Sequence, residues 1–360
     1  MEVPTSLYWH SWLAQKCRLL WLTLSSIETR VLQEELREIE VRQPIYIAGL
    51  ARSGSTILLE ILNDVPQTAS HRYCDFPYLF TPYWTYWMQR RLGVSGSNKT
   101  ERAHADRLQV SQTSPEAMEE VLWMHFFPGL HDRGAERGLV DLAIDNGFAQ
   151  FYREHIQKLL LARGESRYLA KGNYNLGRLE RLLSLFPDAR FLVPVRRPVE
   201  HIASLVKQQQ LFQRATTENP KVAHYLSWVG HFEFGIYRQP MAEGDSAAEI
   251  RACWREGDEV RGWALTWRNA YESVAARCSA NPTLAKQTFF VRYEDLCRDS
   301  EQTLALVLAH CDLDPRSLRQ LSERYAQSLT FPDYYRPSFT AAELAVIDEV
   351  CGPAAARFGY

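Results

Sequence analysis

Gly49-Leu50-Ala51-Arg52-Ser53-Gly54-Ser55-Thr56 decides the fold. The four residues before it, Ile45-Tyr46-Ile47-Ala48, form a short apolar run rich in β-formers, which predicts a buried strand. Helical character resumes from Ile57 to Asn63. A glycine turn between a strand and a helix aims backbone N–H groups and a helix N-terminus at an anion. The spacing follows G-x-x-x-x-G-K-[ST] except that Ser55 stands where the lysine of a nucleotide triphosphatase stands. That lysine serves β- and γ-phosphates. The stretch therefore predicts an anion cradle and argues against an ATPase or GTPase.

A second strand-to-helix junction follows the same logic. Arg190-Phe191-Leu192-Val193-Pro194-Val195 reads as a strand, and Pro198 is well placed to open a helix. Arg196 then sits at the strand's carboxyl end, and Ser204 lies two turns into the helix. Ligands of open α/β sheets bind outside the carboxyl ends of strands, so both residues are candidates for one anionic group. Further strands are expected at 167–170 and 288–291, with helices at 148–163, 176–186 and 199–212 between them. This alternation predicts an α/β fold: a P-loop-type parallel β-sheet flanked by helices. An N-terminal helical segment spans 1–43, and the main domain 44–360. Helical insertions at about 72–165 and 214–280 would form the acceptor side. Ser114-Pro115-Glu116 has the pattern of a helix start.

Composition sets the outer limits. Lys and Arg total 41 against 43 Asp and Glu, a net charge of −2, which excludes a general polyanion or nucleic-acid binder. Of the basic residues 34 are Arg and 7 are Lys. The 7 cysteines are odd in number and none forms C-x-x-C, which points to a reducing, cytoplasmic setting without a thiolate metal site. The apolar patch Leu19–Leu24 is far shorter than the roughly 20 residues of a membrane span. No His, Asp and Glu set has metal-ligand spacing, and no G-x-S-x-G elbow occurs.

Together these motifs resemble those of sulfotransferases that use 3′-phosphoadenosine 5′-phosphosulfate (PAPS). The 49–56 turn resembles their 5′-phosphosulfate loop, and Arg196-x-Pro-x5-Ser204 their 3′-phosphate motif, normally R-D-P-x5-S. Tyr293-Glu294-Asp295-Leu296 resembles the Tyr-Glu-Asp-Leu common in that family. The likeness is greatest to the bacterial-type branch, which shares features with protein-tyrosine sulfotransferases. Arg197 departs from the pattern, standing where the family has Asp. The resemblance implies that Arg52, Ser53, Gly54, Ser55 and Thr56 hold the 5′-phosphosulfate, and that Arg196 and Ser204 hold the 3′-phosphate. It implies no metal, and a hydroxyl-bearing acceptor as the partner.

Sulfuryl transfer needs positive charge on the leaving oxygen and a base for the acceptor hydroxyl. Lys171 ends the 167–170 strand and resembles the lysine that tyrosine sulfotransferases place on the sulfuryl and bridging oxygens. Alignment through Pro66 puts Tyr73 where related enzymes carry a catalytic Glu, and a phenol is no base at neutral pH. His71 and Asp75 flank it and are the candidates, with His104 a third. Aromatic residues at 76–87 and Trp123, Phe126 and Phe127 line an acceptor pocket, the core or a homodimer interface. If they line the pocket, the acceptor is apolar or aromatic, a small molecule or lipid. A P-loop kinase and a catalytically inactive nucleotide-binding protein are the alternatives.

Overall fold

The computed structural model describes residues 3–94, 99–101, 109–131, 144–242, 244–326, 329–331 and 337–360. Five parallel strands form the central sheet: β1 (Ile45–Ile47), β2 (Thr68–Ala69), β5 (Arg167–Lys171), β6 (Arg190–Val195) and β7 (Thr288–Arg292). A separate antiparallel pair, β3 (Thr100–Glu101) and β4 (Gln109–Val110), lies within the first insertion. The sheet order is β2-β5-β1-β6-β7.

The short strands are apolar because both faces are covered. Side chains alternate across the pleat, so Tyr46, Tyr168, Phe191 and Val193 pack into one core. Ile45, Ile47, Leu169, Leu192 and Val291 pack into the other, under helices Ser55–Asn63 and Ser300–His310. The helix after β1 leads toward the β2 flank, whereas the helix Pro198–Glu218 after β6 leads toward β7. Neighbouring strands whose connections part in this way open a crevice at their carboxyl ends. The 49–56 turn and Arg196 both fall there.

Two expectations are corrected by local geometry. The N-terminal segment is not one helix but three, Thr5–Lys16, Arg18–Val31 and Gln33–Arg37, broken at Cys17 and Leu32. Its middle helix joins the helix Asn146–Arg163 through a buried ion pair, Lys158 Nζ to Glu28 Oε2 at 3.1 Å. Ser114-Pro115-Glu116 does not start a helix either. The backbone of 112–116 pairs with 71–74 instead: Ser114 O accepts from Tyr73 N at 3.1 Å, and Glu116 N donates to His71 O at 2.9 Å. The helix begins later, at Glu119, and runs to Phe126.

That helix carries Trp123, fully buried against Phe148 and Tyr152 with the Arg178 guanidinium over its ring at 4.4 Å. Trp123→Ala is expected to lower stability by about 3–5 kcal/mol. Urea unfolding followed by far-UV circular dichroism measures it; a loss below about 1 kcal/mol would refute the packing role.

Candidate active site

The 49–56 turn owes its shape to two residues with left-handed backbone, Arg52 (φ 70°) and Gly54 (φ 96°). Gly54 cannot be replaced freely: a Cβ there would stand 2.5 Å from Cδ2 of Tyr293. Gly54, the residue before the helix that begins at Ser55, offers no side-chain cap, the arrangement that suits an anion at a helix N-terminus. His201 supports the turn from behind. Its Nε2 donates to Ala51 O at 2.8 Å. Burial pushes the imidazole down to about 3, and it therefore stays neutral.

Arg196 and Ser204 converge on this turn. Arg52 Nε donates to Ser204 Oγ at 3.2 Å, and Arg196 Nη1 donates to Arg52 O at 3.2 Å. The Arg196 guanidinium lies 4.9 Å from the Tyr293 ring centroid, and its buried Nε holds no hydrogen bond. Trp267 Nε1 donates to Arg196 O at 3.1 Å, fixing the backbone. The departure at Arg197 is accommodated locally. Its side chain, 47 % exposed, faces Glu200 at 3.6 Å, while its backbone N–H donates to Glu294 Oε1 at 3.0 Å. Glu294 also accepts from the Tyr360 hydroxyl. The Tyr293-Glu294 pair thus binds both phosphate-side loops to the end of β7.

In front of the turn lies a cleft of about 1220 Å³. Arg52, Ser55, Thr56 and Lys171 line it. Lys171 pairs in register with Ile47, so the end of β5 brings it beside the turn. Lys171 Nζ lies 3.8 Å from Glu116 Oε1. Glu116 Oε1 also accepts from Ala117 N at 2.7 Å, and Oε2 accepts from the Tyr73 hydroxyl. Ser53 is fully buried behind the turn, and Arg196 and Ser204 adjoin the turn without lining the cleft.

Glu116 was invisible as a site residue because only the non-local pairing of 112–116 with 71–74 carries it to the cleft. The one signal was Tyr73 at the position expected for a Glu. The structure supplies the carboxylate from 43 residues further along and holds it with that tyrosine's hydroxyl.

His71 and Asp75 are not brought to the cleft. His71, 2 % exposed, meets His155 Nε2 at 3.0 Å and Asp75 at 3.6 Å. Arg163 Nη2 donates to both Asp75 oxygens at 2.8 Å. Burial raises the Asp75 carboxyl, but His71 and Arg163 overcome it and hold the group well below the usual carboxylate range. Such a carboxylate is a clamp between helices rather than a proton acceptor. His104 and its neighbour Asp106 lie outside the described residues. Of the aromatics singled out in the sequence, Phe76 lines the cleft, whereas Phe80, Trp123, Phe126 and Phe127 pack into the cores. Phe212, from the helix Pro198–Glu218, and Tyr225, Leu226 and Val229, from the second insertion, supply apolar lining. No described helix is long and apolar enough to cross a membrane.

Removing one partner of a buried pair is strongly destabilising, so Asp75→Asn is expected to lower stability by about 3–5 kcal/mol near neutral pH. A carboxyl depressed in the folded state contributes above its unfolded value of about 3.9 and loses that contribution as pH falls. The gap between wild type and Asp75→Asn should therefore narrow below about pH 4. Urea midpoints across that range check it, and a gap that widens on acidification contradicts it.

Comparison with known proteins agrees with this architecture. No curated protein sequence matches the chain significantly. A sulfotransferase from Mycobacterium tuberculosis H37Rv, STF1, superimposes with a TM-score of 0.50 at 18 % identity, covering 91 % of this chain and 80 % of that one. STF9 from Mycobacterium avium superimposes with a TM-score of 0.52 at 14 % identity, covering 92 % and 81 %. At these identities the likeness speaks for the fold. Residues 44–238, which include the phosphate turn, Lys171, Arg196 and Ser204, match the sequence profile of the Sulfotransferase family, and the chain belongs to that family.

Proposed function

We propose that the protein transfers a sulfuryl group from PAPS to a hydroxyl of an apolar or aromatic acceptor, with Glu116 as the general base. The observation that carries this reading is the placing of Lys171 and Glu116, 3.8 Å apart, between an anion turn and an apolar wall. The cradle fits the donor. Arg52, Ser55, Thr56 and the uncapped helix N-terminus suit a 5′-phosphosulfate, and the buried, unbonded Nε of Arg196 beside Ser204 suits the 3′-phosphate. When bound, PAPS supplies the sulfuryl group, its sulfur exchanging the 5′-phosphate oxygen for the acceptor oxygen.

The chain's own groups divide the remaining tasks. Lys171 holds positive charge where negative charge develops on the leaving oxygen. Glu116 takes the acceptor's hydroxyl proton at Oε1, the oxygen turned toward Lys171. The Tyr73 hydroxyl and Ala117 N fix that carboxylate. Phe76, Phe212 and Tyr225 exclude water and seat an apolar acceptor body. His71 and Asp75, the bases expected from sequence, give way to Glu116 because neither lines the cleft.

Adenosine 3′,5′-bisphosphate without Mg²⁺ should stabilise the protein by about 2.7 kcal/mol at a hundred times its Kd. No shift there, with a shift on Mg-ATP, would refute the donor assignment. Gly54→Ala and Arg196→Ala are expected to weaken that shift. Glu116→Gln and Lys171→Ala should keep it while kcat falls by about a hundredfold or more, the range of general acid–base and charge stabilisation. An unchanged kcat in Glu116→Gln would remove Glu116 as the base.

A further inference from the structure

Among the described residues three buried carboxylates face a Lys or Arg, whereas Glu119 and Glu233, which both line the cleft, do not. Glu28 faces Lys158 at 3.1 Å, Asp75 faces Arg163 at 2.8 Å and Glu120 faces Arg178 at 2.7 Å. Glu119 accepts from two phenols, Tyr152 and Tyr168. Glu233 is 8 % exposed and lines the cleft, yet among the described residues no Lys or Arg pairs with it. Its Oε1 accepts from Asn173 Nδ2 at 2.7 Å. Its Oε2 is buried, His231 Nδ1 lies 3.5 Å from it, and the Tyr174 phenol also hydrogen-bonds the carboxylate.

The surroundings of Glu233 are aromatic. His231 stacks on Phe212 at 4.9 Å with the rings 7° apart, and both line the cleft. Tyr174, also in the wall, accepts from Phe232 N at 2.9 Å. Burial and then the charge of Glu233 push the Tyr174 phenol well above its ordinary value, as a neighbouring carboxylate does. Position along the cleft is fixed by the chain itself. Asn173, the residue that holds Glu233, is two residues beyond Lys171, no more than about 7 Å along the backbone. Lys171 and Glu233 thus belong to one cleft wall, joined through Asn173.

A carboxylate removed from water without a cationic partner is costly, and a ligand that brings the missing cation recovers that cost. Aromatic faces add to the attraction for an ammonium group. From this we infer that the acceptor carries an ammonium group, bound by Glu233 in the cleft wall, on the same molecule as the sulfated hydroxyl. The inference rests on the sulfotransferase reading of Lys171 and Glu116, and it narrows the substrate class to hydroxylated amines with an apolar or aromatic body. Asn173 and His231 orient the carboxylate and are positioning residues.

Three matched phenols test it: tyramine (ammonium), para-ethylphenol (neutral) and para-hydroxyphenylpropionate (carboxylate), each with PAPS and the full-length protein. The expected kcat/KM order is tyramine over para-ethylphenol by about tenfold or more, with the carboxylate slowest. Glu233→Gln should bring the tyramine to para-ethylphenol ratio to about one, whereas Glu233→Asp, which keeps the charge, retains a preference for tyramine. A wild-type ratio at or below one overturns the inference, as does a ratio that Glu233→Gln leaves unchanged. If none of the phenols is turned over, calorimetric titration of the same compounds into the adenosine 3′,5′-bisphosphate complex decides it. A preference for tyramine that Glu233→Gln removes supports the ammonium site, and equal binding overturns it. Failure of the sulfotransferase reading itself appears elsewhere, as an absent stabilisation by adenosine 3′,5′-bisphosphate.

Discussion

The contact between Gly54 and the ring of Tyr293 governs the arrangement of this molecule. A backbone at φ 96° turns the chain from β1 into the following helix, and only the missing Cβ lets the tyrosine ring close against it. The same ring lies beneath the Arg196 guanidinium. Three segments far apart in sequence therefore share one ring: the turn after β1, the junction after β6 and the end of β7. Glu294 secures the arrangement by holding the Arg197 N–H and the hydroxyl of Tyr360. Tyr293 and Glu294 thus work as a fastener for the two strand-to-helix turns.

The acceptor side obeys a different constraint. A five-strand sheet with strands of two to six residues gives little rigid edge on which to build a pocket. The insertions are instead fixed by buried charges and by backbone pairing. Arg163 holds Asp75, Arg178 holds Glu120, and Lys158 holds Glu28. Burial raises the Glu28 carboxyl and lowers the Lys158 ammonium, the directions expected when two opposite charges leave water together. Each pair joins segments that no hydrophobic stripe would align uniquely, which is the best-attested use of a buried ion pair. Two of the arginines thus serve as buried clamps, and Arg52 is the arginine that lines the cleft among the described residues.

Legibility in the sequence followed locality. The strands, the helix ending at Gly164 and the turn at 49–56 could be read because each is decided within about ten residues, by apolar runs, glycine and capping chemistry. Lys171, Arg196 and Ser204 could be read because they follow directly from strand ends. Glu116, the proposed base, could not. Ser114-Pro115-Glu116 carries every local mark of a helix start, yet pairing with 71–74 captures its backbone hydrogen bonds first. His71 and Asp75 misled for the same reason. Their chemistry suits a base, and only the tertiary position of Arg163 and His155 shows that it is already committed.

Glu116 and Glu233 also show why residue type alone is a poor guide to role. Both are buried or half-buried carboxylates on the same cleft, and both accept neutral hydrogen bonds, Glu116 from Ala117 N and the Tyr73 hydroxyl and Glu233 from Asn173. Their neighbours separate them. Glu116 faces the ammonium of Lys171, so its negative charge is favoured. Glu233 faces an imidazole and aromatic rings, so its charge lacks a permanent counterpart until a ligand arrives. One carboxylate is prepared for proton transfer and the other for recognition. The protein distinguishes the two tasks by where it places a cation, and with only 7 lysines in the chain the position of Lys171 decides which carboxylate does which.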